Sequence, residues 1–320
     1  MNAFNPDQLR QALLRLDLAV YAPLRPPISD YCHFYGIDLE REMPGLRHYC
    51  GWFDAADYRL AAHIFLPPAA KGTLFILHGY LDHSGLYGHL IRQALQAGFA
   101  VFIYDLPGHG LSTGERASIP DFQHYQRVLD EALALYGQQL PKPFHALGQS
   151  TGGAILMDHV LSAKAAGRQP AFLNMLLLAP LVRPAQWAQI RFGYWAMRLL
   201  KPSVPRVFRE NSSDTDFLRF VREDDPLQDR WVSLRWVGAL KRWVAHMQKL
   251  PGCDFPVLLV QGHRDETVAW RYNIGFVKRH FRVEQFLELP EASHQLANER
   301  ADLRAPVHKA LAILLGGDAG

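Results

Sequence analysis

Two pentapeptides in this chain set a serine between glycines two residues away on either side, Gly148-Gln149-Ser150-Thr151-Gly152 and Gly110-Leu111-Ser112-Thr113-Gly114. A serine in this pattern can attack a carbonyl carbon when it sits on a tight turn between a strand and a helix, with its hydroxyl clear of the sheet. The flanking residues separate the two candidates. Pro143 to Leu147 is a short apolar run leading straight into the first pentapeptide, and Ala154 to Leu161 follows as an amphipathic helix. Gly148 and Gly152 suit a turn in which backbone segments pass too close for a Cβ. Ser112, by contrast, is separated from the apolar run Phe99 to Tyr104 by Asp105-Leu-Pro-Gly-His-Gly110, and Glu115 to Pro120 has no helical period. The sequence therefore places the nucleophile at Ser150 and a loop serine at Ser112.

A serine hydroxyl is a weak nucleophile near neutrality and needs a base, usually histidine, which a carboxylate orients. When the nucleophile lies on such an elbow, the partners follow in the order serine, acid, histidine, each in a loop after a strand. Val257 to Gly262 reads as a buried strand followed by His263-Arg-Asp-Glu266, which makes Asp265 the expected acid and Glu266 the alternative; Asp254 precedes that strand. Of the fifteen histidines, His280, His294 and His308 follow the acid. His280 and His308 fall in helical patterns, whereas His294 follows the strand Val283 to Leu289 and is the expected base.

The oxyanion of a tetrahedral intermediate needs preorganised N–H donors. The backbone N–H of Thr151 is one candidate, and the loop after His78-Gly79 supplies the other, with Tyr80 ahead of Gly79. His78, His83 and His89 match no metal-ligand spacing and include no helical H-E-x-x-H. No metal and no cofactor is expected, since serine, base and N–H donors supply the chemistry, and chelators should leave it unaffected.

Stepping outward along the chain, Asn5-Pro6-Asp7 reads as an N-cap with proline at the first helical position, and Leu9, Ala12, Leu13, Leu16 and Val20 continue a helical stripe until Pro23, Pro26 and Pro27. Residues 29–47 form an arm of unassigned structure that packs on the core. His48 to Phe53 and Tyr58 to Leu66 alternate as a hairpin. Buried strands at Thr73 to Leu77, Phe99 to Tyr104, Pro143 to Leu147 and Phe172 to Ala179 then alternate with helices at Ser84 to Gly98, Asp121 to Tyr136 and Ser150 to Gly167. After Leu250 the alternation resumes, with a helix near Arg271 to His280 and a last helix from Leu296 to Leu315. This rhythm implies a parallel sheet covered on both faces. It breaks over 181–250, rich in Trp, Arg and Pro, which reads as a lid inserted into the core. The expected organisation is thus an N-terminal helix and arm (1–47), a core (48–180 and 251–320) and a lid (181–250).

Several blocks together carry a family resemblance: His78-Gly-Tyr-Leu-Asp-His-Ser-Gly-Leu-Tyr87, Tyr104-Asp-Leu-Pro-Gly-His-Gly-Leu-Ser-Thr-Gly-Glu-Arg116, Gly148-Gln-Ser-Thr-Gly-Gly153, Asp224-Asp-Pro-Leu227, Gln261-Gly-His-Arg-Asp265 and Ser293-His294. Over about residues 55–300 the chain resembles the monoacylglycerol lipase and lysophospholipase group of α/β-hydrolases. The resemblance implies an α/β-hydrolase fold with a mostly parallel sheet of about eight strands. It also implies a Ser150, Asp265, His294 triad, with the residue after His78-Gly79 lending an oxyanion N–H, and it makes Ser112 a serine outside the triad. The implied activity is hydrolysis of lipid-like carboxylic esters, a lysophospholipid or monoacylglycerol, through an acyl-enzyme. The family usually has His-Ser-Met where this chain has Gln149-Ser150-Thr151, which makes the surroundings of the serine more polar. The first fifty residues have no counterpart in that resemblance.

Bulk properties exclude little: 320 residues, 49% hydrophobic and 20% charged, suit a globular enzyme. Cys32, Cys50 and Cys253, an odd number without metal-like spacing, fit a reduced compartment, and neither an export signal nor an apolar run long enough to span a membrane is visible, so the expected location is cytoplasmic. Net charge is +3, yet 181–250 holds thirteen Lys and Arg against seven Asp and Glu, leaving 13 − 7 = +6 there and 3 − 6 = −3 elsewhere. The lid aromatics Trp187 and Trp195 are the expected substrate-facing residues, and the basic, aromatic face of the lid suggests peripheral contact with an anionic membrane; nothing suggests nucleic acid. A proline-type serine aminopeptidase would need carboxylates for a free amine, and 181–209 contains none. A general carboxylesterase or thioesterase fits the same residues. A non-catalytic binding protein would have little reason to keep all three triad residues in order, and dehalogenases or epoxide hydrolases need an aspartate in place of Ser150.

Overall fold

The computed structural model describes residues 4–316. Ten strands occur in chain order: β1 (Arg47–Ala55), β2 (Tyr58–Leu66), β3 (Thr73–Leu77), β4 (Ala100–Tyr104), β5 (Phe144–Gln149), β6 (Met175–Leu178), β7 (Ser203–Pro205), β8 (Trp231–Ser233), β9 (Pro256–Gly262) and β10 (Arg282–Leu289). Eight of them form one sheet in the order β1-β2-β4-β3-β5-β6-β9-β10, while β7 and β8 pair separately. β2 runs antiparallel to β1 and β4, and every other neighbour in the large sheet is parallel. The β1/β2 hairpin closes through Ala56 and Asp57, both at positive φ, which matches the twist of the strands it joins.

The central strands are buried on both faces because successive side chains alternate between two cores. Phe75 and Leu77 join Phe102, Tyr104 and the helices Gln123–Tyr136 and Thr151–Ala165 on one side. Leu74 and Ile76 join Val101, Ile103 and the helices Gly88–Gln96 and Ala301–Leu314 on the other. The helix after Ser150, expected to be amphipathic, is buried all round from Thr151 to Leu161, since it lies between the sheet and a second layer of helices.

Three other expectations change. The first helix is confined to Pro6–Ala12, capped by the Asn5 side chain as expected. Leu13 to Leu16 leave the helix because their backbone serves the sheet edge: Trp52 N–H donates to Leu14 O at 2.8 Å and Leu16 N–H to Trp52 O at 2.7 Å. The segment covers the exposed edge of β1, a common protection for an edge strand. The arm 29–47 contains a helix, Ile28–Phe34, and a short turn of helix at Leu39–Arg41. The expected helix from Leu296 divides into a turn at Leu296–Asn298 and a helix over Ala301–Leu314, interrupted at Glu299, whose carboxylate is engaged elsewhere.

Residues 181–250 leave the sheet after β6 and return at β9. They comprise helices Trp187–Met197, Thr215–Arg219 and Leu234–Met247, a π-helical turn at Phe220–Asp224, and the β7/β8 pair. Helix Leu234–Met247 is deeply packed: Trp236 stacks on Tyr80 with ring centroids 3.9 Å apart, Trp243 lies against Phe122, and Trp243 Nε1 donates to Asp158 Oδ2 at 2.9 Å.

Candidate active site

β5 ends at Gln149 and the next helix begins at Thr151, so Ser150 alone makes the turn, at φ 52° and ψ −110°. A non-glycine residue at positive φ with this ψ is strained, and the surroundings must hold it there. Ser150 N–H donates to Leu178 O at 2.9 Å and Ser150 O accepts from Leu181 N–H at 3.0 Å, which ties the turn to β6 and the chain beyond it. The flanking glycines are required by contact: a Cβ on Gly152 would lie 1.9 Å from Leu77 O, and one on Gly148 would lie 2.5 Å from the Gly152 carbonyl carbon.

Asp265 follows β9 and His294 follows β10, and the fold brings them together: His294 Nδ1 donates to Asp265 Oδ2 at 2.7 Å, with both residues buried. Nδ1 carries the proton because its partner is a carboxylate, which leaves Nε2 as an acceptor. Asp265 also accepts from Thr267 N–H (2.8 Å), Val268 N–H (3.0 Å) and Gln261 Nε2 (3.0 Å). Burial alone would raise its pKa, but the attraction and hydrogen bond of His294, with these N–H donors, hold the carboxyl below its usual value. The imidazole shows the mirror image: burial would lower it, and Asp265 more than compensates, raising His294 above its usual value. Glu266, the alternative acid, uses its backbone carbonyl to accept from Arg209. Ser112 is far from this arrangement in role: its hydroxyl donates to Asp105 O at 2.7 Å and accepts from Ala61 N–H at 3.0 Å.

The loop after β3 is held by His78, whose Nδ1 donates to Gly79 O (2.8 Å) while Nε2 accepts from Leu106 N–H (2.8 Å). Gly79 packs beside the serine, where a Cβ would lie 3.5 Å from Ser150 Cβ. Tyr80 is fixed through its side chain, which donates to Ala117 O at 2.6 Å, accepts from Ser233 N–H and stacks on Trp236. Gly79 N–H is already bonded to Tyr87 Oη at 3.0 Å, whereas the N–H groups of Tyr80 and Thr151 have no acceptor among the described residues. The other loop histidines have separate partners: His83 Nε2 pairs with Asp225 Oδ2 at 3.0 Å, and His89 is driven down to about 4 by burial and by Arg304.

Ser150, Thr151, Tyr80 and His294 all line one cavity of about 530 Å³. Its apolar walls come from Ile190, Tyr194 and Met197 of one helix and Val237 and Leu240 of another. Trp187 and Trp195, expected to face substrate, do not line it. Trp187 occupies the first turn of its helix and packs on the core cluster, and Trp195 points off the opposite face, 68% exposed. Apolarity alone could not tell the inner stripe 190, 194, 197 from the outer one.

Three supporting residues carried no sequence signal of this role. Gln149 Nε2 donates to His294 O at 2.8 Å, joining the neighbours of nucleophile and base, and Gln149 had stood out only as a departure from the family pattern. Gln295 Nε2 donates to Asp82 Oδ1 at 2.8 Å. Glu299, fully buried, accepts from Ser293 N–H at 2.6 Å and from Ser213 N–H at 2.7 Å, tying the His294 loop to segment 181–250.

A family model described as serine aminopeptidase, S33 (Hydrolase_4), matches residues 68–301. The chain belongs to this S33 family. Human monoglyceride lipase is 30% identical over 207 residues, 61% of this chain and 65% of that protein, so the S33-family chain aligns with less than two-thirds of the human relative's length. Phospholipase YtpA of Bacillus subtilis is 31% identical over 207 residues, covering 61% of this chain and 76% of that one. The monoacylglycerol lipase of Paleococcus ferrophilus superposes with a TM-score of 0.68 at 20% identity, over 80% of this chain and 98% of that structure. The fold of this S33 member is therefore the α/β-hydrolase fold, as its sequence motifs imply.

Proposed function

We propose that the chain is a serine hydrolase of lipid-like carboxylic esters, a monoacylglycerol or a lysophospholipid, acting through an acyl-enzyme on Ser150. The observation that carries the reading is the convergence of the Asp265–His294 pair and the strained Ser150 turn on one largely apolar cavity. His294 Nε2 takes the Ser150 proton as the hydroxyl attacks the ester carbonyl, and the backbone N–H groups of Tyr80 and Thr151 receive the oxyanion. His294 then protonates the leaving alcohol, and water, activated in the same way, releases the acid. The volume and apolar walls suit an acyl chain. Residues 181–250 serve as the lid, with helix Leu234–Met247 as its anchored part.

The relatives named as lipase and phospholipase support this reading. An aminopeptidase is disfavoured because, among the described residues, Asp82 is the one carboxylate lining the cavity, already bonded to Gln295 and Tyr87, whereas Arg206, Arg209 and Arg222 also line it and would repel an ammonium group. A panel decides: fatty acid release from monoacylglycerols and lysophospholipids should exceed hydrolysis of prolyl amides by at least about a hundredfold in kcat/KM. Faster turnover of the prolyl amides would overturn the proposal.

The outer face of helix Trp187–Met197 and the residues after it extend the proposal to delivery of substrate. Phe192, Trp195, Leu199 and Leu200 are 69%, 68%, 86% and 79% exposed, and Arg191, Arg198 and Lys201 lie exposed among them. Apolar rings flanked by cations suit an anionic bilayer surface, and among the described residues no helix is long and apolar enough to cross one. Arg206 is turned instead to the cavity, donating to Gln228 Oε1 at 2.7 Å. Each exposed cation contributes about 1 kcal/mol near an anionic surface, so changing Arg191, Arg198 and Lys201 together to Glu should abolish co-sedimentation with anionic vesicles while sparing a soluble ester. Equal pelleting with neutral vesicles, or unchanged pelleting of the triple variant, would sink the docking reading.

A further inference from the structure

Away from the cavity, the arm and the first hairpin enclose a cluster of ionisable side chains that the proposed reaction does not use. Cys32 comes from helix Ile28–Phe34, His48 from β1 and His63 from β2, and all three are at most 1% exposed. Each can direct one ligand atom to a common point, the three atoms lying within 4.8 Å of one another. His48 Nδ1 is bonded to Glu40 Oε2 at 3.1 Å, which turns Nε2 inward, 2.9 Å from His63 Nδ1. The other nitrogen of His63 faces Tyr31 Oη at 3.4 Å and Cys50 Sγ at 3.9 Å, so a second thiol borders the cluster.

We propose that Cys32, His48 and His63 form a buried binding site for a divalent cation of the zinc class. One sulfur and two imidazoles are a donor set for zinc or cobalt and a poor one for magnesium or calcium, which take oxygen. The carboxylate of Glu40 on the far nitrogen of His48 is the support that orients metal-binding histidines in general. A cation here replaces the proton of the Cys32 thiol, which leaves to solvent, while the proton between the two imidazoles moves to the outer nitrogen of His63. Hydrophobic side chains would fill this space at lower cost than three buried ionisable groups, which favours a ligand-binding role over packing alone.

The site would be a clasp. It fastens helix Ile28–Phe34 to the hairpin, and the next residue but one after Cys32 on that helix, Phe34, packs on Phe220 of segment 181–250. Tyr35 then donates to Asp225 Oδ1 at 2.6 Å, the same carboxylate that holds His83. The ligands are spread over positions 32, 48 and 63, without the close paired spacing by which metal sites are read from sequence. The cluster is separate from the loop histidines 78, 83 and 89.

Cobalt(II) added to the full, chelator-treated chain tests the proposal directly. The expected result is uptake of about one equivalent with a thiolate-to-cobalt charge-transfer band, displaced by zinc, and a higher Tm with zinc than without. Cys32→Ser should remove the band, and Glu40→Gln should weaken uptake by about 10- to 100-fold. Fluorophosphonate labelling of Ser150 in each variant shows that it is folded and keeps this test independent of the substrate assignment. Wild-type protein that gives no charge-transfer band and no zinc-dependent change in Tm would overturn the site without recourse to any variant. A band of undiminished intensity in folded Cys32→Ser would overturn it as well.

Discussion

Replacing Ser150 with alanine is expected to abolish labelling by a fluorophosphonate and to reduce ester turnover by about a million-fold, the scale seen when a serine hydrolase loses its nucleophile. The change should cost little stability, because Ser150 is held through its backbone: Leu178 O and Leu181 N–H bond to its main chain. Alanine also tolerates the turn no worse than serine does, so loss of activity would not reflect loss of fold. Ser112→Ala supplies the contrast. It removes an acceptor from Ala61 N–H and a donor to Asp105 O, both buried, at about 1–3 kcal/mol of stability. Labelling should nevertheless persist. A mass shift from the probe on any residue other than Ser150, or labelling that survives Ser150→Ala, would remove the acyl-enzyme from the proposal.

Asp265→Asn should fold and still lose about 10⁴-fold in kcat, some 5.5 kcal/mol of transition-state stabilisation at 1.4 kcal/mol per decade. The amide cannot neutralise the imidazolium that forms as His294 takes the serine proton, and it can bind the wrong tautomer. Proton titration gives an independent signature. His294 must be neutral to act as base, and Asp265 raises its pKa, so activity should fall on acidification with a midpoint above the ordinary histidine value of about 6.5. Removing the carboxylate removes that support, and the residual activity of Asp265→Asn should persist to lower pH. Glu266→Gln should leave both rate and midpoint nearly unchanged, since its carboxylate takes no part in holding His294. A crippling effect of Glu266→Gln with a mild one of Asp265→Asn would move the acid by one residue.

The sequence by itself determined the fold and the order of the candidate triad because both rest on short-range signals. Short strand patterns end in turn residues, and each candidate lies in the turn or loop that follows one: Ser150 directly after β5, Asp265 after β9, His294 after β10. The elbow is marked in the sequence by its two glycines, although only Gly148 is required by atoms of the same turn, while Gly152 is required by Leu77 on β3 beside it. Where a segment's backbone bonds or side-chain faces depend on distant partners, sequence reasoning failed. The stripe Leu9, Leu13, Leu16 predicts a longer helix, yet the unpaired edge at Trp52 draws Leu14 and Leu16 into extended pairing, which satisfies four backbone groups at once. Likewise the aromatics of helix Trp187–Met197 are chemically alike, and only the rotation of that helix decides that Tyr194 faces the cavity while Trp195 faces outward. Glu299 reaches Ser213 across 86 residues, and Cys32, His48 and His63 meet only because the arm folds over the hairpin. Such meetings depend on three-dimensional packing of surfaces whose residues are far apart along the chain, and no local periodicity encodes them.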